Sequence, residues 1–201
     1  MEHLPLPKPP KSCVFRLVPN SQVHVSKANN ASEVYDLEGA YWEFELELAN
    51  VREDEALALD AFLAKLRGRV GKFLMHDYRR PQNSLTAAGY VNGSNQDGNL
   101  FNVRGMPVNQ TYAPAGTRIQ IGLGETAELK VLTEDVVVNS HGHAQLVFES
   151  PVRSIPGDST PVYFNRPYGV FRLADNKQGL ADAQVKDGLV TSWKIKGREA
   201  F

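Results

Sequence analysis

Between Tyr41 and Leu48, the apolar Trp42, Phe44, Leu46 and Leu48 alternate without a break with Glu43, Glu45 and Glu47. Successive side chains of an extended backbone point to opposite faces, so this segment folds as a strand with one buried and one acidic face. A helix would scatter the same residues around its circumference. The acidic face is either solvated or set against a basic surface, and both readings stand at this point.

The buried face needs a cover, and the chain supplies one directly. Leu59, Phe62, Leu63 and Leu66 fall at i, i+3, i+4 and i+7, with Glu53, Asp54 and Glu55 ahead of them and Arg67-Gly68 behind. Acids in the first turn complement the helix dipole and a glycine after a basic last turn ends the helix, so a helix packs here on the Trp42–Leu48 face. Val70–Met75 then returns to extended structure. Cys13, on one strand face with Phe15 and Leu17, reads as a small buried hydrophobe rather than a reactive thiol.

From about Pro81 the texture changes to short apolar runs between turn residues: Leu100–Val103, Thr117–Ile121, Leu129–Leu132, Val136–Val138 and Ala144–Phe148. Such spacing predicts a small β-barrel or sandwich. Val170–Leu173 is strand-like, and Asp187-Gly188 between Gln184–Lys186 and Leu189–Ile195 predicts a hairpin with Leu189, Thr191, Trp193 and Ile195 on one face. The N-terminal strands and helix lack strands to complete a sheet, and the C-terminal hairpin lacks a core. Residues 1–82 and 161–201 are therefore expected to form one discontinuous domain, and residues 83–160 an inserted one.

Composition removes several function classes. With 22 basic and 23 acidic residues the net charge is −1, which gives no field for specific nucleic-acid or anionic-membrane binding. One cysteine permits no internal disulfide and no multi-cysteine zinc site. The proline-rich Met1–Pro10 reads as an extended arm rather than an export signal, and no apolar run reaches bilayer length. No membrane partner, cofactor or metal is expected.

The apparent motifs dissolve into turns. His141-Gly142-His143 sits after Asn139-Ser140 at a hairpin tip and lacks a third metal ligand. Gly122-Leu123-Gly124-Glu125-Thr126-Ala127 imitates a dinucleotide fingerprint, yet a strand follows it where a helix N-terminus is needed. Asn95–Asn99 resembles part of a calcium loop without its bidentate glutamate. His76-Asp77 has no nucleophile elbow to complete a triad, and no acid–base pair stands at a hydrolase-like spacing. No enzyme is expected.

The order of these elements carries a resemblance. The alternating strand, the Leu57–Gly68 helix, Gly71-Lys72-Phe73-Leu74-Met75-His76-Asp77, Gly89-Tyr90-Val91-Asn92-Gly93, Gly116–Ile121, Phe148–Arg153 and Gly169–Leu173 together resemble the distal tail proteins of long, non-contractile-tailed bacteriophages and prophages. The resemblance covers most of the chain from about residue 12. It implies a tail-tube-like β-sandwich plus helix, interrupted by a small OB-like barrel. It further implies a structural virion protein of the tail tip. Such a protein forms a homohexameric ring between the tail tube protein and the tip or baseplate hub. Under it, Glu43, Glu45 and Glu47 line the lumen or meet a neighbour, and Pro5, Pro7, Pro9 and Pro10 lie across an adjacent subunit. The insert lacks the interleaved aromatic and basic residues of a nucleic-acid-stacking face. The alternative is a carbohydrate-binding accessory module using Tyr90, Phe101 and Tyr112 as surface aromatics.

Overall fold

The computed structural model describes residues 1–37, 39–80, 85, 88–179 and 183–201, and among them the chain is mainly β with a single α-helix. In chain order the elements are β1 (Ser12–Val18), β2 (Ser21–Val25), β3 (Ser32–Asp36), β4 (Tyr41–Leu48), β5 (Val51–Arg52), α1 (Glu53–Leu66) and β6 (Phe73–His76). Next come β7 (Ala88–Val91), β8 (Leu100–Arg104), β9 (Gln110–Ala113), β10 (Arg118–Ile121), β11 (Glu128–Leu132), β12 (Val136–Val138), β13 (Ala144–Glu149) and β14 (Pro161–Tyr163). The chain ends with β15 (Tyr168–Leu173), β16 (Gln184–Lys186) and β17 (Leu189–Glu199).

Strand β4 spans the predicted residues and lies inside a sheet ordered β1-β4-β17-β15-β6, with Trp42, Phe44, Leu46 and Leu48 buried. Helix α1 covers that face with Ala56, Leu59, Phe62, Leu63 and Leu66. Its left-handed end begins at Arg67 (φ 53°), one residue earlier than the glycine predicts, and continues through Gly68 (φ 64°). Phe15, Phe44, Phe73 and Phe171 fill the space between with edge-on ring contacts. Such contacts add about 0.5–1.5 kcal/mol per pair beyond simple burial.

Long strand β17 does more than complete this sheet. Asp187 and Gly188, at φ 52° and 74°, form the expected tight turn from β16. Thr191 is then an extra residue opposite the β16 ladder, because Val185 faces Val190 while Gln184 faces Ser192. This bulge shifts the alternation, so Val190, Trp193 and Ile195 are buried whereas Leu189 and Thr191 are exposed. The single face expected for Leu189, Thr191, Trp193 and Ile195 is corrected accordingly: one inserted residue moves every later side chain to the other face. The first residues of β17 also pair with β5 and β16, which brings the sheet to seven strands.

Strands β10-β11-β13-β8-β7-β14 close into an antiparallel barrel around Phe101, Ile119, Leu146, Phe148 and Phe164. Its six strands are one more than the five of an OB barrel. The barrel closes through Pro161–Tyr163, three residues past the expected end of the insert, because β14 supplies the strand joining β7 to β10. The expected junction at residues 82–83 lies outside the described residues.

Barrel and sheet share a boundary built from buried polar groups. Leu129 of β11 belongs to the sheet–helix core, and the Trp42 indole N–H donates to its carbonyl at 2.7 Å. The Arg118 guanidinium lies 4.5 Å above the Trp42 ring and 3.7 Å from the buried Asp77 carboxylate, which also pairs with Arg79 at 3.2 Å. Burial pulls the Arg118 guanidinium down to about 10. Fully buried Lys130 pairs with Glu128 at 2.8 Å and donates to the Pro151 carbonyl at 2.8 Å. Each charge taken from water here has a partner at hand, the condition under which burial is tolerated.

Candidate interaction surfaces

The outer side of the sheet, opposite α1, carries the three glutamates, and the structure gives them basic neighbours from their own chain. Strand register sets Arg16, Glu43, Arg198 and Arg172 side by side across β1, β4, β17 and β15. The next rows set Glu45 against Lys196 and Glu47 against Lys194. Glu43 pairs with Arg16 at 3.1 Å, Glu45 with Lys196 at 3.0 Å and Glu47 with Lys11 at 3.1 Å. Hydrogen bonding from Lys11 is the main reason the Glu47 carboxyl titrates below its ordinary range. Six cations thus surround three carboxylates, and the stripe that looks acidic in one strand belongs to a basic face. The signal was present in the sequence: Lys194, Lys196 and Arg198 alternate with inward-facing residues just as the glutamates do, and opposite charges pair across neighbouring strands.

This face holds a groove of about 290 Å³ lined by Arg16, Glu43, Glu45, Arg69, Lys196 and Arg198, among others. Gly197 sits at its floor. A Cβ there would fall 2.4 Å from a Phe44 ring carbon and 2.6 Å from the Arg172 carbonyl, so only glycine admits this close approach. A second cleft, about 790 Å³, opens where β1 and β4 meet the barrel loops; Asp36, Asp97 and Glu149 are in its lining and no basic side chain is.

The N-terminal arm lies along its own chain. His3 bridges Leu74 in parallel, with Leu74 N–H donating to the Glu2 carbonyl at 2.9 Å and Leu4 N–H to the Leu74 carbonyl at 3.0 Å. This covers the β6 edge of the sheet. Leu4 is buried in the main core, Leu6 packs against it, Glu2 pairs with Lys65 at 2.5 Å, and Lys8 Nζ donates to the Asn50 carbonyl. Pro5, Pro7 and Pro9 face outward along this strap, and Pro10 is half-buried.

The aromatics considered for glycan contact do not share a surface. Phe101 is fully buried in the barrel, edge-on to Phe148 with 5.2 Å between ring centres, because β8 alternates outward Leu100 and Asn102 with inward Phe101 and Val103. Its assignment as a surface aromatic is corrected. Tyr112 is half-buried against Phe164, and only Tyr90 stands exposed, at 46%. Cys13 is half-buried against the core, and burial foremost, with Asp77 nearby, pushes its thiol up to about 11. His141 and His143 flank Gly142 at an exposed turn, where both backbone N–H groups donate to the Asn139 side chain.

One surface escaped the sequence reading. The β2–β3 hairpin is exposed along its whole length, and its register places Val23, Val25 and Val34 on one face at 59%, 59% and 66% exposure. The other face holds His24, Glu33 and Tyr35 in mutual contact. The alternation of Ser21–Val25 and Ser32–Tyr35 about Asn29-Asn30 carried that signal.

No family model matches this chain, and no curated protein matches it.

Proposed function

We propose that this chain is a structural virion protein of a phage tail tip, assembling as a homohexameric ring between the tail tube protein and the tip or baseplate hub. The observation that carries the reading is the β2–β3 hairpin. Two-stranded hairpins are marginal alone in water, and this one presents three exposed valines on a single face. Burial against a neighbour accounts for both its apolar face and its projection. Strand β1, at one end of the sheet, offers a further edge that a neighbour can cover in a closed ring. The resemblance in element order supplies the ring and its place in the tail.

The test is mass-measured gel filtration with negative-stain microscopy of the full chain. A ring with six-fold averages is the expected result. A monomer at every concentration, with no ring on micrographs, overturns the reading. Val23→Ser with Val34→Ser should reduce assembly without lowering the melting temperature, since neither side chain touches a core in the monomer.

A further inference from the structure

Charge is divided unevenly between the two concave surfaces. In the groove, Arg16 and Lys196 are matched by Glu43 and Glu45, which leaves Arg69 and Arg198 with no ion pair among the described residues. In the cleft, Asp97 and Glu149 likewise make no ion pair among the described residues. Three of the four bases in residues 83–160 are engaged elsewhere: Arg118 and Lys130 are buried, and exposed Arg153 donates to the Ala40 carbonyl at 2.7 Å and lies over the Phe201 ring. The fourth, Arg104, is held by Asp158 at 3.0 Å. Exposed Asp97 and half-buried Glu149 are therefore the cleft carboxylates left without a cation from the barrel.

The two surfaces also adjoin. Arg16 and Glu43 line the groove while Leu17 and Ala40 line the cleft, at the paired ends of β1 and β4. A basic patch beside an acidic one is self-complementary under a two-fold axis, since each meets its opposite on the second copy.

We propose that this face binds a second copy of the chain as a two-fold pair, with Arg69 and Arg198 of each copy set against Asp97 and Glu149 of the other. The contact is independent of ring closure. In a monomeric chain it yields dimers, and in a ring it yields a double ring.

Charge reversal tests it in the full-length protein. At low ionic strength, mass-measured gel filtration should give Arg69→Glu/Arg198→Glu half the wild-type mass, and Asp97→Lys/Glu149→Lys likewise. An equimolar mixture of the two should regain the wild-type mass, because each then meets its opposite twice. High salt should halve the wild-type mass, as screening weakens exposed pairs. Thermal melts establish that both variants fold; if the Glu149 change does not, Asp97→Lys alone replaces it. Reversal variants that keep the wild-type mass, or folded variants whose mixture stays at half mass, overturn the pair. So does a wild-type chain that never exceeds the half-mass species yet retards duplex DNA, which would make the face a nucleic-acid surface. The half-mass species reports separately on ring formation: a ring at half mass keeps the tail-tip reading, and a monomer removes it.

Discussion

Glu199 closes β17 inside the boundary between sheet and barrel, where it is 5% exposed and accepts the Trp42 backbone N–H at 3.1 Å. Burial raises its carboxyl to about 7, against the opposing pull of Lys130, the Trp42 N–H and Arg153. A carboxyl with a folded pKa above its unfolded value binds more protons when folded. Stability is therefore fullest below pH 4.5 as far as this group is concerned and falls as pH rises from about 4.5 to about 7. Linkage sets the loss at roughly 3 kcal/mol at most. Urea titrations across this range should show that decline in the wild type and a flatter profile in Glu199→Gln, whose side-chain carbonyl still accepts the Trp42 N–H. Equal slopes would remove the group from the argument. At Gly197 the expected change is steric: Gly197→Ala forces the Phe44 ring aside and should cost about 1–3 kcal/mol in the same assay. Neither residue was legible beforehand. A glutamate at the end of an alternating strand carries no mark of burial, and Gly197 reads as an ordinary interruption until Phe44 is seen across from it.

The elements were more legible, because each rests on local periodicity. Strand β4, helix α1 and the Asp187-Gly188 turn are where alternation, helical spacing and turn chemistry place them. What periodicity lacks is the neighbour. The glutamates of β4 look acidic until β1 and β17 bring their cations alongside, and the face of Trp193 is misassigned until the bulge at Thr191 is counted. The strap shows the same gap: four prolines predict an extended arm but not where it lies. Since Leu4 is 4% exposed in the main core, Leu4→Ala should destabilise the monomer by about 2–5 kcal/mol, read by thermal or urea melts. Deleting residues 1–10 should cost at least as much, since it also uncovers the β6 edge. If the deletion leaves stability unchanged but abolishes assembly, the arm serves a neighbour rather than its own sheet.

At the scale of the molecule, the spacing and incompleteness of the elements predict two units, and the structure describes how firmly they are joined. Leu129 crosses from the barrel into the sheet–helix core, and Leu74, Ala127, Val170 and Ala200 form a further cluster between them. The Gly169 position would bring a Cβ to 3.0 Å from Leu129, so β15 and β11 touch almost backbone to backbone. Separating the units would take Arg118 from Asp77, and Lys130 and Arg153 from Glu199. Leaving one such charge unpaired costs on the order of 3–5 kcal/mol, a large share of the 5–15 kcal/mol by which a folded domain is stable. The barrel is therefore expected to unfold with the sheet rather than before it. Calorimetry should give one transition whose van't Hoff and calorimetric enthalpies agree. Arg118→Ala leaves Asp77 with a single partner, and it should lower that transition by several degrees without splitting it. Two resolved transitions in the wild type would mean that the barrel is an autonomous module. A ring built from the sheet would then carry it as an appendage rather than as part of its wall.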